Sequence, residues 1–356
     1  MNITHLGFDK WFQEKSDPKK RAEFEMARVM TVNKNSTIIT DGKTAVFAEM
    51  SGKFIFNADS PLNYPAVGDW VYVQYFNDNT FAVIDGILPR KSLLKRKTAG
   101  KKIEYQLIAA NIDTAVIFQS LDFDYNPRRL ERYLAMVHES KIQPIVLLSK
   151  RDLLSSAEIE KKTMAMKKDM PNIQVLAFSN KIESDLERIE ELLIPGKTYC
   201  LLGSSGVGKT TLINQLMGED LWETQPVREK DSKGRHTTAR RQLIVLKNGA
   251  LMIDTPGMRE LGNIAIDSGL HDTFKEITAL TGQCRYKNCS HSIEEGCAVL
   301  KALHEGKISR ERYENYMKMK RESVYHEMSY VEKRRKDKKF GKLCKSVMKQ
   351  KKNQMI

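Results

Sequence analysis

The sequence predicts an α/β protein of three folded parts followed by a basic tail. Residues 27–87 contain several short segments with the composition of β-strands. Predicted strands and helices alternate from residue 108 to about 262, and a cysteine cluster lies in a helical C-terminal part. Short strands separated by turn residues form small barrels, whereas alternating strands and helices indicate a doubly wound parallel sheet. We place the parts at residues 1–95, 105–265 and 270–330, and the tail at 331–356.

The amino-acid composition limits the class of protein to which this chain can belong. The chain has 356 residues, of which 41% are hydrophobic, enough for the cores of two or three domains. Its apolar runs are far shorter than a membrane span, and the N-terminus carries no secretory signal pattern. Five cysteines in so long a chain argue against a disulfide framework. We therefore expect a cytoplasmic protein with no membrane partner.

The N-terminal part begins with a helical lead, Asp9–Met26, which Pro18 should interrupt. Five segments rich in β-branched and aromatic residues follow, separated by Gly, Asn and Asp turns: Ala27–Val32, Ser36–Thr40, Thr44–Met50, Asp69–Tyr75 and Thr80–Ile87. This spacing is typical of a small OB-type β-barrel, a fold that commonly binds nucleic acid. The alternative is a barrel that serves only as a spacer.

The central part alternates strands and helices as a doubly wound domain does. The predicted strands are Thr114–Phe118, Pro144–Leu148, Ile173–Phe178 and Tyr199–Leu202, and the predicted helices are Pro127–Glu139, Ser156–Lys168, Ser184–Leu193 and Leu212–Leu216. Two further strands, Gln242–Leu246 and Ala250–Ile253, flank the hairpin signal Asn248-Gly249 and should pair with each other.

A phosphate-binding loop joins the last strand and helix of that first series. Its residues fit G-x-x-x-x-G-K-[ST], in which backbone N–H groups surround phosphates and the Lys reaches the β/γ oxygens. The hydroxyl residue binds Mg²⁺, so Thr210 is a predicted magnesium ligand and Lys209 a predicted catalytic residue. The loop comprises Gly203, Ser204, Ser205, Gly206, Val207, Gly208, Lys209 and Thr210, followed by Thr211. The sequence thus predicts binding of a nucleoside triphosphate.

Two further elements match the phosphate site of a GTPase. Asp254-Thr255-Pro256-Gly257 ends an apolar strand, where Asp254 and Gly257 match the element that senses Mg²⁺ and the γ-phosphate. Between this element and the phosphate loop lies His236-Thr237-Thr238. Either Thr237 or Thr238 could complete the magnesium shell, and the pattern does not decide between them.

The element that reads the base precedes the phosphate loop in this chain. Ser149, Lys150 and Asp152 follow an apolar strand in the pattern S-K-x-D, close to the N-K-x-D whose Asp accepts two hydrogen bonds from guanine. Ser179-Asn180 follows the next strand, where a segment supports the base from behind. Because the ends of a compact α/β domain usually lie close together, a circular permutation preserves such a site. The sequence therefore predicts a circularly permuted P-loop GTPase domain.

Hydrolysis needs a group that orients the attacking water. Many GTPases use a Gln just after D-x-x-G, but this chain has Met258, which neither donates nor accepts usefully. His236 is the candidate, because the ordinary pKa range of an imidazole suits orienting water or accepting its proton. The alternative is that His236 is a surface-loop residue without this role.

Three cysteines and one histidine lie within fourteen residues of the C-terminal part. Cys284, Cys289, His291 and Cys297 supply three thiolates and one imidazole, the tetrahedral ligand set of a closed structural zinc site. The alternative is a group of unrelated buried thiols. Because the segment is short and polar, we expect the metal to hold it folded.

Net charge is +14, and two segments carry much of it. Residues 90–102 contain seven Lys and Arg without an acid, and residues 331–356 contain eleven against two acids. Two basic clusters on a nucleotide-binding protein favour a polyanionic partner, RNA above all. The alternative for the tail is a solvated end that aids solubility.

Together these motifs resemble the circularly permuted GTPases of small ribosomal subunit maturation, the ribosome small subunit-dependent GTPase A family. The resemblance covers the barrel, the permuted domain and the zinc module with its tail. It implies a GTP hydrolase that uses Mg²⁺ and one structural Zn²⁺, binds the 30S subunit and its 16S rRNA, and acts late in 30S assembly. It also implies slow hydrolysis that the 30S subunit accelerates and points to His236. We expect a monomer that binds GTP and GDP.

Two positions depart from the family pattern. Ser149 stands where the family has Asn, which weakens one expected side-chain bridge between the base-reading and phosphate loops. Ala239 stands where a third Thr is common. The alternative function is a nucleotide-gated RNA-binding module whose hydrolysis is incidental. Asp152 disfavours an ATP-driven RNA remodeller, because adenine lacks the matching donors.

Overall fold

The structure is a computed structural model that describes residues 2–33, 36–97, 105–218, 241–255 and 267–328, with the isolated residues 332, 334, 335 and 338. Two short helices open the chain, α1 (Lys10–Lys15) and α2 (Pro18–Glu23). Asp9 and Asp17 cap them, and Pro18 lies in the first turn of α2, where its missing N–H has no intrahelical partner to lose. The predicted interruption of the helical lead is confirmed.

Five strands of the N-terminal part form the predicted barrel, with ends shifted by no more than two residues. The elements are β1 (Glu25–Val32), β2 (Thr37–Thr40), β3 (Ala45–Met50), the short helix α3 (Gly52–Phe56), β4 (Trp70–Phe76) and β5 (Phe81–Ile87).

The barrel closes on itself. Its strand order is β1-β2-β3-β5-β4, and β4 pairs back onto β1. β3 and β5 run parallel, while the other neighbours are antiparallel. Alternate side chains fill the interior, where Val29, Ile39, Val71 and Ile84 are fully buried. This closed five-stranded arrangement confirms the OB-type barrel.

A hairpin that the sequence analysis did not predict, β6 (Leu93–Lys97) with β7 (Tyr105–Ala110), follows the barrel. The central domain then contains β8 (Thr114–Ser120), α4 (Pro127–Glu139), β9 (Gln143–Ser149), α5 (Ser156–Asp169), β10 (Gln174–Ala177), α6 (Glu183–Leu192), β11 (Thr198–Leu202), α7 (Lys209–Met217), β12 (Gln242–Val245) and β13 (Leu251–Asp254). Every strand and helix predicted for this domain is present.

The central sheet has the order β10-β9-β8-β11-β13-β12. All neighbours are parallel except β12, which pairs antiparallel with β13 as the predicted hairpin. β12 also meets β1 of the barrel, with Gln242 opposite Thr31, so one continuous sheet runs through both parts. The carboxyl ends of the parallel strands therefore lie at one edge of the central sheet, and β12 joins that sheet to the barrel.

Four helices form the described C-terminal part: α8 (Asp267–Thr273), α9 (Lys275–Thr281), α10 (Ala298–His304) and α11 (Arg310–Glu327). α8 packs closely on α4, since a Cβ at Gly269 would lie 1.9 Å from the carbonyl oxygen of Ala135. Arg312 of α11 forms a buried ion pair with Glu131 of α4, with N and O atoms 2.9 Å apart. Close packing and a buried pair thus fix this part on the central domain.

The predicted boundaries at residues 95, 105, 265 and 270 stay predictions. Among the described residues, no helix combines the length and the apolar character that crossing a bilayer requires.

Candidate nucleotide and metal sites

Four loops of the central domain meet at one edge of the sheet. They follow β9, β10, β11 and β13, whose carboxyl ends point the same way. Doubly wound folds bind their ligands at this edge. The structure thus brings the segment after β9 to the same edge as the loop after β11, although the predicted base-reading segment precedes the phosphate loop in the chain.

The phosphate loop has the backbone that its glycines permit. Gly203, Gly206 and Gly208 have φ angles of 144°, 77° and 94°, which side chains disfavour. A Cβ at Gly203 would also lie 2.8 Å from the carbonyl oxygen of Phe118. Val207 is buried and packs into the core beneath the loop. The loop leads into the N-terminus of α7, whose free N–H groups favour a bound anion.

Lys209 lies over this loop. Its Nζ donates to the carbonyl oxygens of Gly203, over 2.9 Å, and Ser204, over 2.5 Å. Thr210 and Thr211 follow in the first turn of α7, and Ser205 lies in the loop itself. A bound phosphate would compete with these carbonyl oxygens for the ammonium group, because charged acceptors bind it more strongly.

Asp254 ends β13 beside the phosphate loop. Its register partner on β11 is Leu201, whose carbonyl oxygen also accepts a hydrogen bond from the Thr255 hydroxyl over 2.7 Å. Burial raises the pKa of Asp254, and the positive charge of Lys209 opposes that rise. The carboxyl group of Asp254 and the ammonium group of Lys209 are therefore close together beside the phosphate loop, at the ends of two adjacent strands.

Asp152 is held by two donors from the neighbouring segment. Its Oδ1 accepts from the Ser179 hydroxyl over 2.7 Å, and its Oδ2 accepts from Lys181 Nζ over 2.9 Å. Burial alone would raise the pKa of Asp152, but the bonds from Lys181 and Ser179 outweigh it and lower the pKa. The carboxylate is thus ionised and able to accept further hydrogen bonds.

Two acidic residues that the sequence analysis did not identify position the base-reading loop. Asp185, which is 1% exposed, accepts from the Ser179 amide over 2.9 Å and pairs with Arg151 over 2.5 Å. Asp122 accepts from Lys150 Nζ over 2.7 Å, with Lys150 in a left-handed conformation at φ 62°. The only sequence signal for Asp185 is its place in the first turn of α6, which is common for acids.

Ser149 and Asn180, the other two residues predicted to serve this loop, differ in their contacts. Ser149 is 1% exposed, and its Oγ has no hydrogen-bond partner among the described residues. Asn180 Nδ2 donates to the carbonyl oxygen of Gly208 over 3.1 Å. The second residue therefore reaches the phosphate loop, whereas the first does not.

The predicted metal ligands converge. One ligand atom from each of Cys284, Cys289, His291 and Cys297 lies within 4.8 Å of all the others. His291 Nδ1 is 3.6 Å from the sulfur atoms of Cys284 and Cys297, which are 3.9 Å apart. Ligands at Zn–S and Zn–N bond lengths of about 2.3 and 2.0 Å around a tetrahedral ion have such separations. The donor set and its geometry fit a zinc ion.

Part of the predicted basic surface has a structural role instead. Arg90 donates to both carboxylate oxygens of Asp69 and to the carbonyl oxygens of Leu62 and Tyr64. Lys91 forms an ion pair with Asp9. Arg90 therefore connects segments of the barrel, and Lys91 connects the end of the barrel to the N-terminal lead. These two side chains are less available to RNA than their charge alone suggested, because charge in the sequence does not reveal pairing.

Several predicted residues lie outside the described part of the chain. They are His236, Thr237, Thr238 and Gly257, together with Met258 and most of residues 331–356.

Comparisons with known proteins agree with the geometry. A sequence model of the RsgA GTPase family matches residues 87–264. A protein of Vibrio parahaemolyticus named small ribosomal subunit biogenesis GTPase RsgA 2 is 36% identical over 346 residues, covering 97% of this chain and 92% of its own.

Two solved structures share the fold. YjeQ from Thermotoga maritima superposes with a TM-score of 0.63 at 24% identity, covering 84% of this chain and 98% of that one. YloQ, described as a circularly permuted GTPase, gives 0.61 at 22% identity, covering 86% and 96%. The reversed order of loops is therefore a property of a known fold, and the predicted circular permutation is confirmed. By sequence match and full-length relatives, this chain belongs to the RsgA GTPase family.

Proposed function

We propose that this GTPase acts in the assembly of the small ribosomal subunit, where it binds the 30S particle and its 16S rRNA and hydrolyses GTP in response. The relative from Vibrio parahaemolyticus, which matches nearly end to end, carries small ribosomal subunit biogenesis in its name. The observation on which the enzymatic part rests is the meeting of the Asp152 and Lys209 loops at one sheet edge.

Guanine recognition rests on Asp152. An ionised carboxylate there accepts hydrogen bonds from guanine N1 and N2, and adenine offers no such pair of donors. Ser179 and Lys181 hold the carboxylate in place and favour its charged form. Lys150 and Ser179 would also contact the base, and the main chain of Asn180 would support it from behind. The site should therefore prefer GTP and GDP over adenine nucleotides.

The phosphates bind along the loop after β11. Backbone N–H groups from Gly203 to Thr211 face the phosphate oxygens, and Lys209 exchanges its carbonyl partners for the β- and γ-phosphates. Thr210, one of Thr237 and Thr238, and Asp254 would hold Mg²⁺, which when bound neutralises charge on those oxygens. Gly257 donates its amide to the γ-phosphate.

Hydrolysis is an in-line attack of water on the γ-phosphorus, during which the bond to the bridging oxygen breaks and GDP leaves. His236 orients this water or accepts its proton, a role left open by Met258. His236 promotes hydrolysis efficiently only when the enzyme is bound to the 30S subunit, so GTP turnover by the free enzyme is slow. Completion of a GTPase site by a partner is a common basis of such stimulation.

The C-terminal part binds one structural Zn²⁺ through Cys284, Cys289, His291 and Cys297. Four protein ligands leave no open position for chemistry, so the ion stabilises the fold and does not take part in hydrolysis. RNA contacts come from this module, the barrel and the basic tail, whose cations neutralise phosphates.

A nucleotide-gated RNA-binding module, in which hydrolysis is incidental, is the competing function. Single-turnover and steady-state GTP hydrolysis, each with and without 30S subunits, separate the two. The enzyme we propose shows a faster chemical step when 30S subunits are present. The competing module shows tighter RNA binding in the GTP state and an unchanged chemical step.

A further inference from the structure

Ser149 stands where N-K-x-D has Asn, the position from which we expected a side-chain bridge to the phosphate loop. The Ser149 hydroxyl is buried without a hydrogen-bond partner among the described residues. A serine side chain is one bond shorter than that of asparagine and carries no amide donor. The base-reading loop therefore makes no bridge from this position.

Asn180, on the neighbouring segment, contacts the phosphate loop and the helix that follows it. Its side-chain Nδ2 donates to the carbonyl oxygen of Gly208 over 3.1 Å. Its main-chain carbonyl oxygen accepts from Nε2 of Gln215, about one and a half turns into α7, over 2.7 Å. The contact with the loop is close, because a Cβ at Gly208 would lie only 2.7 Å from Asn180 Nδ2.

Asn180 is also fixed to the base-reading residues. It directly follows Ser179, whose hydroxyl bonds Asp152 and whose amide bonds the buried carboxylate of Asp185. A short rigid path thus runs from the carboxylate that reads guanine to the backbone that surrounds the phosphates. This path connects the segments after β9 and β10 to the phosphate loop, and Ser149 is not part of it.

We propose that Asn180 is a positioning residue that sets the distance between the guanine half and the phosphate half of the nucleotide site. This inference rests on the proposed nucleotide site. Guanine and the phosphates are two ends of one molecule, so binding both at once is strongest when the two loops are already at the right separation. The Asn180 side chain would contact neither the γ-phosphate nor the attacking water. Its replacement should therefore change nucleotide affinity and leave the chemical step intact.

The test compares Asn180→Ala and the isosteric Asn180→Asp with the wild type and with Gln174→Ala, an exposed change on β10. Affinity is measured by titration with fluorescent N-methylanthraniloyl GDP. Both Asn180 variants should bind it about three- to tenfold more weakly, the loss expected for one hydrogen bond. KM for GTP should rise by a similar factor while kcat stays within about twofold. Gln174→Ala should match the wild type.

Fragments of the nucleotide separate positioning from general damage. Guanosine and inorganic pyrophosphate, each used as a competitor, occupy only one half of the site. Their competition constants should be unchanged in Asn180→Ala, because each half remains intact and only their separation is less restrained. Equal losses for the fragments and for GDP, or GDP affinity within twofold of wild type in both variants, would overturn the proposal.

Asp152→Asn and Lys209→Ala, measured in parallel, distinguish this failure from failure of the site itself. If these two variants lose guanine nucleotide affinity while the Asn180 variants do not, the proposed nucleotide site is supported and the positioning role of Asn180 is wrong. If neither Asp152→Asn nor Lys209→Ala changes affinity, the nucleotide lies elsewhere, and both proposals fail.

Discussion

The hydroxyl of Ser179 donates a hydrogen bond to Oδ1 of Asp152 over 2.7 Å, joining the ends of two adjacent parallel strands. This bond, together with the Asp185 carboxylate behind it, holds the base-reading residue in one orientation. The carboxylate that we propose to read guanine is therefore held in place by the protein's own residues.

Replacing Asp152 by Asn should reverse base preference. The amide no longer accepts from both guanine N1 and N2, but its NH₂ can donate to the second carbonyl of xanthine. We expect GTP affinity to fall about ten- to a hundredfold, the value of charge-assisted hydrogen bonds, while XTP affinity rises. Competition of GTP and XTP against fluorescent GDP measures both. The exposed Asp78→Asn serves as the control, and unchanged GTP preference in Asp152→Asn would refute this assignment.

Cys289→Ser should release the metal. A hydroxyl is a poor replacement for a thiolate at zinc, so metal analysis should fall from about one zinc per chain to well below that. Because the ligands join the segment before α10 to α9, thermal unfolding should begin at a lower temperature. Cys200→Ala, which removes a buried thiol outside the cluster, should retain its zinc. Zinc-free wild-type protein would show that the cluster is not a zinc site.

Removal of residues 331–356 should weaken binding to 30S subunits and flatten its salt dependence. Each lost phosphate contact lowers the slope of log K against log salt by about 0.7–0.9, because fewer counterions are released. Binding of the full-length and truncated chains is compared by sedimentation at several salt concentrations. If affinity and slope both remain those of the full chain, the tail is a solubilising end only.

The elements of this fold were largely predictable, because local signals specify them. α4 begins and ends where the sequence predicted, with the Asn126 cap and Pro127 in its first turn. The hairpin of β6 and β7 was missed because three of residues 93–97 are basic and the segment lacks a clear alternation of polar and apolar side chains.

Contacts between loops that are far apart in the sequence could not be predicted from it. Nothing near Asn180 indicates that its amide reaches Gly208, 28 residues later in the chain. The same holds for Arg90, whose charge suggested RNA and whose structure shows a pair with Asp69. Chemistry follows from residue type and spacing, whereas partners across the fold follow from the way the elements pack.

His236→Ala should separate binding from catalysis. We expect GTP and 30S affinities near those of the wild type and a loss of roughly 10²-fold or more in the stimulated rate, the contribution of a positioned general base. The variant should also remain longer on the subunit in the GTP state, since release follows hydrolysis. Stimulated turnover within a few-fold of wild type would mean that another group, such as the rRNA, orients the water.

The most direct test of the proposed function is the rate of GTP hydrolysis as purified 30S subunits are added, with 50S subunits and 70S ribosomes as parallel titrations. We expect a saturable rise of at least about tenfold with 30S subunits, a conservative bound below the roughly 10³- to 10⁵-fold that a partner completing a GTPase site can supply. We expect little response to 50S subunits. A rate that stays flat as 30S subunits are added, or that rises equally with 50S subunits, would contradict the account.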